Sequence, residues 1–122
     1  AIDCIAAECP DEDMTLAGVS FGSRTGMAVG IDDDRVKRLV SIGTPVDKYG
    51  DYEFLLNVRK PILFVHGDSD EFGSEEKVRS LFDQVSKVTD AELIVFKNCG
   101  HFFDEHLNEL RDAIKAWVSK HL

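Results

Sequence analysis

Residues Met14–Gly22 read MTLAGVSFG, an apolar run that leads into the pattern Gly-x-Ser-x-Gly centred on Ser20. The run Met14–Val19 predicts a buried strand, and the residues that follow predict a helix. A turn that passes directly from a strand into a helix strains its middle residue and lifts that side chain off the sheet. Gly18 and Gly22 leave room for such a turn because they carry no Cβ atom. We therefore predict that Ser20 is a nucleophile and not an ordinary turn serine.

The rest of the chain alternates short apolar runs with amphipathic ones. Three further strands are predicted, at Leu39–Ile42, Ile62–Val65 and Leu93–Phe96. Their continuous apolar character is typical of parallel strands that are covered on both faces. Helices are predicted at Gly22–Gly30, from the capping residue Ser74 to Val85, and from Phe103 to Val118. This alternation predicts an α/β fold, with a parallel sheet of about four strands and helices on both faces.

The start of the chain is predicted to be helical. Ala1–Glu8 is interpreted as the end of a helix that Pro10 stops, since the residue before a proline avoids the helical region. The sheet would then begin at Met14–Val19 with one edge of that strand open. Natural proteins usually protect such an edge, so the sequence predicts that something covers it.

Two polar segments follow later predicted strands. His66-Gly67-Asp68-Ser69-Asp70 follows Ile62–Val65, and Cys99-Gly100-His101 follows Leu93–Phe96. The carboxyl ends of parallel strands meet at one edge of a sheet, which is also where Ser20 lies. A serine nucleophile needs a base, and the base needs a carboxylate that orients it. The chain order of nucleophile, acid and base is therefore Ser20, Asp70, His101, with Asp68 as a second candidate for the acid.

These segments resemble the α/β-hydrolase family, and most closely its small dienelactone-hydrolase-like serine esterases. The matching stretches are Leu16–Gly22, Pro61–Asp70 and Gly100–Phe103. The resemblance implies that Ser20 is the nucleophile, Asp70 the acid and His101 the base. It also implies that the backbone N–H of Phe21 supports the oxyanion. Asp68 itself is interpreted as a turn residue whose carboxylate accepts from backbone N–H groups.

The resemblance covers the chain from the nucleophile strand onward. Members of this family have an N-terminal half with several more strands, one of whose loops gives a second oxyanion donor, and no residue before Met14 matches that half. We therefore expect residues 1–122 to form one domain, the C-terminal part of such a hydrolase, with a truncated α/β-hydrolase fold. Loss of one oxyanion donor typically lowers turnover by ~10²–10³.

Composition excludes several classes of function. The chain of 122 residues has 14 Lys and Arg against 23 Asp and Glu, a net charge of −9. An acidic chain without a basic tract is a poor ligand for nucleic acid, and no run approaches the ~18 apolar residues of a membrane span. Three cysteines without a Cys-x-x-Cys motif favour reduced thiols in the cytoplasm. The spacing of Asp32–Asp34 does not fit a calcium loop, so we expect a solvated turn there. We expect that the protein uses neither a metal nor a cofactor.

The substrate pocket is expected to be small and open. The segment Gly43–Lys60 lies where this family places lids and is too short for a large cap domain. Thr44, Pro45 and Phe102 are expected to border a pocket for small acyl groups. His66 is interpreted as a structural histidine and not as a second base.

These features predict a serine hydrolase that cleaves a small carboxylic ester through an acyl-enzyme. Thioester and amide hydrolysis use the same three residues, and the sequence does not separate them. The alternative hypothesis is a weak or inactive half-domain. It would associate through the open edge of Met14–Val19, either as a homodimer or with a missing N-terminal half.

Overall fold

The fold is described from a computed structural model of the chain. The structure describes residues 4–7, 14–19, 27–28, 30–44, 52, 55, 58–101, 103 and 105–121. Within them the strands are β1 (Cys4–Ala7), β2 (Met14–Val19), β3 (Val36–Ile42), β4 (Ile62–Gly67) and β5 (Ala91–Phe96). The helices are α1 (Glu75–Val85) and α2 (Leu107–Lys120), and Met27, Ala28 and Gly30 are also helical.

The strands form one five-stranded sheet in the order β1-β2-β3-β4-β5. Strands β2 to β5 are parallel, and β1 is antiparallel to β2. The four predicted parallel strands are thus confirmed. Their carboxyl ends lie side by side, with Val19 opposite Ile42 and Ile42 opposite Val65. The segments after these strands therefore leave the sheet at a common edge.

The predicted helix at the start of the chain is wrong for Cys4–Ala7. These residues form β1, which pairs with β2 from Cys4 opposite Gly18 to Ala7 opposite Thr15. The edge of a buried strand presents a row of unpaired N–H and C=O groups, and a short extended segment satisfies them. Strand β1 therefore covers the edge of β2 that the sequence left open.

One face of the sheet packs against α1. The buried side chains on this face form one cluster, which includes Met27, Val36, Leu39, Leu55, Val58, Ile62, Phe64 and Val85. Phe82 of α1 meets Phe64 of β4 edge to face, with ring centroids 6.5 Å apart. Full burial of a side chain of this size stabilises the fold by roughly 1.5–3 kcal/mol.

The opposite face packs against α2. Its cluster contains Val40, Ile42, Leu63, Val65, Cys99, Phe103 and Trp117, with Leu110, Ile114 and Val118 of α2 packed against it. Helices therefore cover both faces, as predicted from the continuous apolar strands. Among the described residues, no helical segment is long and apolar enough to cross a membrane.

Helix α1 begins as the sequence predicts. The hydroxyl of Ser74 accepts a hydrogen bond from the Lys77 N–H at 3.4 Å, and Glu75 and Glu76 lie in the first turn. Acidic side chains at this end interact favourably with the helix dipole. The start of α1 matters for the site because the loop between β4 and α1 carries Asp70.

Candidate active site

The nucleophile turn lies mostly outside the described residues. Gly18 is buried in β2 and pairs with Ser41, and β2 ends at Val19, directly before Ser20 in the sequence. The other predicted site residues outside the described part of the chain are Phe21, Gly22, Pro45 and Phe102. The structure therefore fixes the strand that precedes Ser20 and the two other predicted catalytic side chains.

Asp70 and His101 are in direct contact. His101 Nδ1 lies 2.7 Å from Asp70 Oδ2, although 31 residues separate them in sequence. Both are buried, with 3% of His101 and 7% of Asp70 exposed. Since a carboxylate accepts, the Nδ1–H of the imidazole donates to it, which leaves Nε2 as the nitrogen that can take a proton. A buried bond of this kind is shorter and stronger than one between neutral groups.

The second oxygen of Asp70 is also held. The backbone N–H of Phe72 donates to Asp70 Oδ1 at 2.7 Å. The Phe72 ring packs against the His101 imidazole, with centroids 4.5 Å apart and planes at 66°. The loop after β4 thus orients the Asp70 carboxylate and also packs against the His101 ring.

Gly43 lies against the other side of the His101 ring. Its φ of +64° is a conformation that favours glycine. A Cβ atom at this position would lie 3.3 Å from both His101 Cε1 and Nδ1. Because Gly43 follows β3 directly, the ends of three neighbouring strands meet around this imidazole.

Asp68 joins the loop after β4 to the loop after β5. Its Oδ1 accepts from the Cys99 N–H at 3.2 Å. That bond, together with a weaker one from the Asn98 backbone, lowers the pKa of Asp68. Asp68 therefore has the predicted role of accepting from backbone N–H groups, and Asp70 is the residue whose carboxylate reaches His101.

The two loops approach so closely that only glycine fits at position 67. A Cβ atom on Gly67 would overlap the carbonyl oxygen of Cys99 and lie 2.8 Å from that of Gly100. The Ser69 N–H donates to Cys99 O at 2.9 Å, which ties the loops together at the same place. This close approach brings Asp70 within bonding distance of a histidine in the loop that follows another strand.

Thr44 is completely buried, and its hydroxyl lies 2.7 Å from that of Ser41. This predicted pocket residue is therefore part of a buried hydroxyl pair at the end of β3. It is not among the described residues that line the cavity beside His101.

A cavity of about 300 Å³ opens beside His101. The described residues that line it are Glu71, Asn98, Cys99, Gly100, His101, Phe103, Glu105 and His106. This volume is at the lower end of the range for small-molecule sites. Sequence reasoning missed Glu71, Glu105 and His106, although each lies within five positions of Asp70 or His101.

The loop that carries His101 ends in a strained residue. Phe103 is 2% exposed and has a φ of 55°, which is uncommon for a bulky side chain. Its ring meets Phe96 edge to face at 5.6 Å, and its burial holds the backbone in this conformation. Strain of this kind is concentrated at functional sites.

His106 borders the cavity and precedes α2. Its Nδ1 donates to Glu109 Oε2 at 2.8 Å, and this bond raises the pKa of His106 above its ordinary value of 6.5. The second ring nitrogen lies 3.4 Å from the Asn98 carbonyl oxygen. Because both neighbours accept hydrogen bonds, they favour the doubly protonated imidazolium.

We expect the His106–Glu109 pair to make stability depend on pH. A group whose pKa is raised by folding stabilises the folded state fully below its unfolded pKa, and this contribution is lost as pH rises through the folded pKa. The thermal unfolding midpoint of the native chain should therefore exceed that of Glu109→Gln at pH 5.5, by an amount that shrinks towards pH 9.

Glu76→Gln is the matched control, since Glu76 lies in the first turn of the other helix. Its difference from the native chain should stay constant over the same pH range. If the difference in unfolding midpoint between the native chain and Glu109→Gln is also constant over this pH range, the expected pH dependence of the His106–Glu109 pair is contradicted.

No group of three or more His, Cys, Asp or Glu side chains within the described residues is arranged to hold a metal ion. The chemistry that these residues offer is proton transfer at His101, supported by the Asp70 carboxylate. A nucleophile at the end of β2 would complete the set that acyl transfer needs.

Comparison with known proteins identifies relatives of this arrangement. The profile of the family described as "Alpha/beta hydrolase domain" matches residues 1–119. Among curated proteins no significant match was found.

Solved structures share the fold. A candidate alpha/beta hydrolase of unknown function from Agrobacterium tumefaciens superposes with a TM-score of 0.82 at 23% identity, over 88% of this chain and 50% of that one. An alpha-beta serine hydrolase homologue from Coxiella burnetii has a TM-score of 0.65 at 34% identity, over 81% of this chain and 46% of that one. An esterase from Pyrococcus furiosus has a TM-score of 0.80 at 13% identity, over 89% and 54%. The chain thus spans about half the length of these proteins.

Proposed function

This chain belongs to the alpha/beta hydrolase family, and from that premise we propose that it is a serine hydrolase that cleaves small carboxylic esters. The observation that carries the proposal is the buried 2.7 Å contact between His101 Nδ1 and Asp70 Oδ2. It lies at the sheet edge where the strand that leads to Ser20 ends. Membership of the family supports hydrolase chemistry, and ester substrates are the narrower part of the proposal.

The strand register supports Ser20 as the nucleophile. Val19 lies opposite Ile42, and Gly43, the residue after Ile42, packs against the His101 ring. The strand end that precedes Ser20 is therefore next to the strand end that contacts the base. This proximity is what nucleophilic catalysis by a serine needs.

In the proposed mechanism, the Ser20 hydroxyl attacks the ester carbonyl while His101 Nε2 takes its proton. Asp70 holds the imidazole in the tautomer that makes this possible and stabilises the imidazolium that forms. The Phe21 N–H donates to the tetrahedral oxyanion. His101 then protonates the leaving alkoxide, and a water activated by the same base releases the acid.

The cavity beside His101 supports small substrates, since about 300 Å³ accommodates a short acyl or alkoxy group. Thioester and amide hydrolysis would use the same three residues in the same roles, so the proposal does not separate them from ester hydrolysis. A cytoplasmic location and a reaction without metal or cofactor stay predictions.

The second candidate function is association through the edge of Met14–Val19. It is supported by the comparison of lengths, since this chain covers 50% of the Agrobacterium protein and a second chain could take the place of the other half. In the structure β1 already pairs with this edge, so a partner strand would have to displace Cys4–Ala7. The partner would be a second copy or a missing N-terminal half.

Labelling with a fluorophosphonate probe, followed by size-exclusion chromatography and peptide mass spectrometry, tests both candidates. We expect a monomer with the adduct on Ser20, because the probe reacts with serines that a base activates. Ser23→Ala, three positions away, should be labelled as strongly as the native chain. An unlabelled dimer would favour the second candidate, and an unlabelled monomer would contradict both the hydrolase and the homodimer.

A further inference from the structure

His66 is a buried polar ring for which the proposed mechanism has no role. It is the fifth residue of β4, opposite Val95 of β5, and its side chain is 0% exposed. Burial of an imidazole costs free energy unless its polar atoms are bonded.

One nitrogen of His66 holds the far end of the loop that carries Asp70. His66 Nε2 lies 2.5 Å from the Gly73 carbonyl oxygen. A carbonyl only accepts, so Nε2 carries the proton and donates. Nδ1 is buried without a hydrogen-bond partner among the described residues, and a proton there would leave a second N–H without an acceptor. The contact with Gly73 thus places a proton on Nε2.

The same nitrogen lies beside the carboxylate of Asp70. His66 Nε2 is 3.7 Å from Asp70 Oδ2, the oxygen that accepts from His101 at 2.7 Å. This distance is too long for a hydrogen bond. The nitrogen that holds Gly73 therefore also lies beside the oxygen that is bonded to His101.

The loop from Asp70 to Gly73 is therefore fastened at both ends. At its start the Asp70 N–H donates to Gly67 O at 3.2 Å. In its middle the Phe72 N–H donates to Asp70 Oδ1, and at its end His66 holds Gly73. The contact between His66 and Gly73 therefore adds an anchor at the far end of the loop that holds the carboxylate.

We propose that His66 is a positioning residue that keeps Asp70 Oδ2 on His101 Nδ1 by holding the Gly73 carbonyl. The effect on turnover rests on the proposed function, whereas the effect on the Asp70–His101 bond does not. His66 does not act as a second base, because its donating nitrogen is bonded to Gly73 and its ring is closed off from solvent.

The test compares His66→Gln with His66→Leu. The glutamine amide retains a donor for Gly73, and leucine retains only the bulk. The first readout is the low-field proton NMR resonance of the His101 Nδ1–H, assigned by its loss in Asp70→Asn. The second is kcat and KM for p-nitrophenyl acetate, and the third is the thermal unfolding midpoint.

We expect His66→Gln to keep the low-field resonance and a kcat close to native. His66→Leu should lose or broaden the resonance and lower kcat by about 10²-fold with little change in KM, as for a catalytic group displaced by about 1 Å. A folded His66→Leu that keeps both the resonance and kcat would overturn the inference.

If His66→Leu does not fold, His66→Gln decides, and a folded glutamine variant without the resonance would overturn the inference. If the variants change the resonance as expected but the native chain has no Ser20-dependent activity, only the proposed function is refuted.

Discussion

We expect Asp70→Asn to lower kcat for ester hydrolysis by about 10³–10⁴ and to leave KM nearly unchanged. The carboxylate accepts the Nδ1–H of His101 at 2.7 Å inside the protein. An asparagine can present its amide N–H to the same nitrogen, which would move the imidazole proton to Nε2 and remove the base. A loss of 10⁴ corresponds to about 5.5 kcal/mol of transition-state stabilisation. Steady-state kinetics with p-nitrophenyl acetate measure it.

Asp68→Asn is the matched control for this prediction. Asp68 is two positions away, and its Oδ1 accepts from the Cys99 N–H, a bond that the asparagine oxygen also makes. We expect its kcat to stay within tenfold of native, with both variants folded by circular dichroism. A larger loss in Asp68→Asn than in Asp70→Asn would mean that the acid has been assigned to the wrong residue.

The sequence predicts the strands better where they end than where they begin. The predicted ends at Val19, Ile42 and Phe96 agree with the structure, because apolar runs stop abruptly there. Strand β4 instead ends at Gly67, two residues after the predicted Val65, because the strand continues through the buried His66. Strand β3 starts three residues earlier than predicted, at Val36, since the charged Lys37 and Arg38 hide its start. The proposed catalytic residues follow strand ends, so the sequence predicts the segments that carry them.

Arg38 shows why the start of β3 could not be predicted. It is 2% exposed, and its guanidinium donates to Thr15 Oγ1 at 2.8 Å and to the His121 carbonyl oxygen at 3.1 Å. These acceptors lie 23 and 83 residues away in sequence. A local pattern treats an arginine as exposed, whereas its burial here depends on distant partners.

The wrong prediction for Cys4–Ala7 has a similar cause. The letters CIAA favour a helix by local propensity, and pairing with the edge of β2 overrides that preference. Propensity is a weak guide for a four-residue segment because tertiary contacts decide its conformation.

Within the site, Asp68, Asp70 and His101 became candidates because they follow strands that end at the common edge, and the resemblance to the family favoured Asp70 over Asp68. The sequence did not predict that Gly67 must be a glycine or that His66 holds Gly73. The first depends on how closely the loop after β5 returns to the loop after β4, and the second depends on how the loop after β4 folds back onto its own strand. Such contacts leave no periodic signal in the sequence.

Ser20→Ala is expected to have the largest effect of any single substitution on activity. Without its hydroxyl no acyl-enzyme forms, and removal of the nucleophile from such a set costs as much as removal of the whole set. The Asp70–His101 contact would remain, since neither partner of that bond is changed. The variant should therefore fold as the native chain does and lose only the reaction.

The central claim is that this 122-residue chain is a hydrolase that uses Ser20 with His101 and Asp70. The measurement that tests it most directly is the initial rate of p-nitrophenyl acetate hydrolysis by the native chain and by Ser20→Ala, purified and assayed side by side. We expect a saturable rate for the native chain and a rate equal to that of buffer for the variant. Equal rates for the two proteins would contradict it.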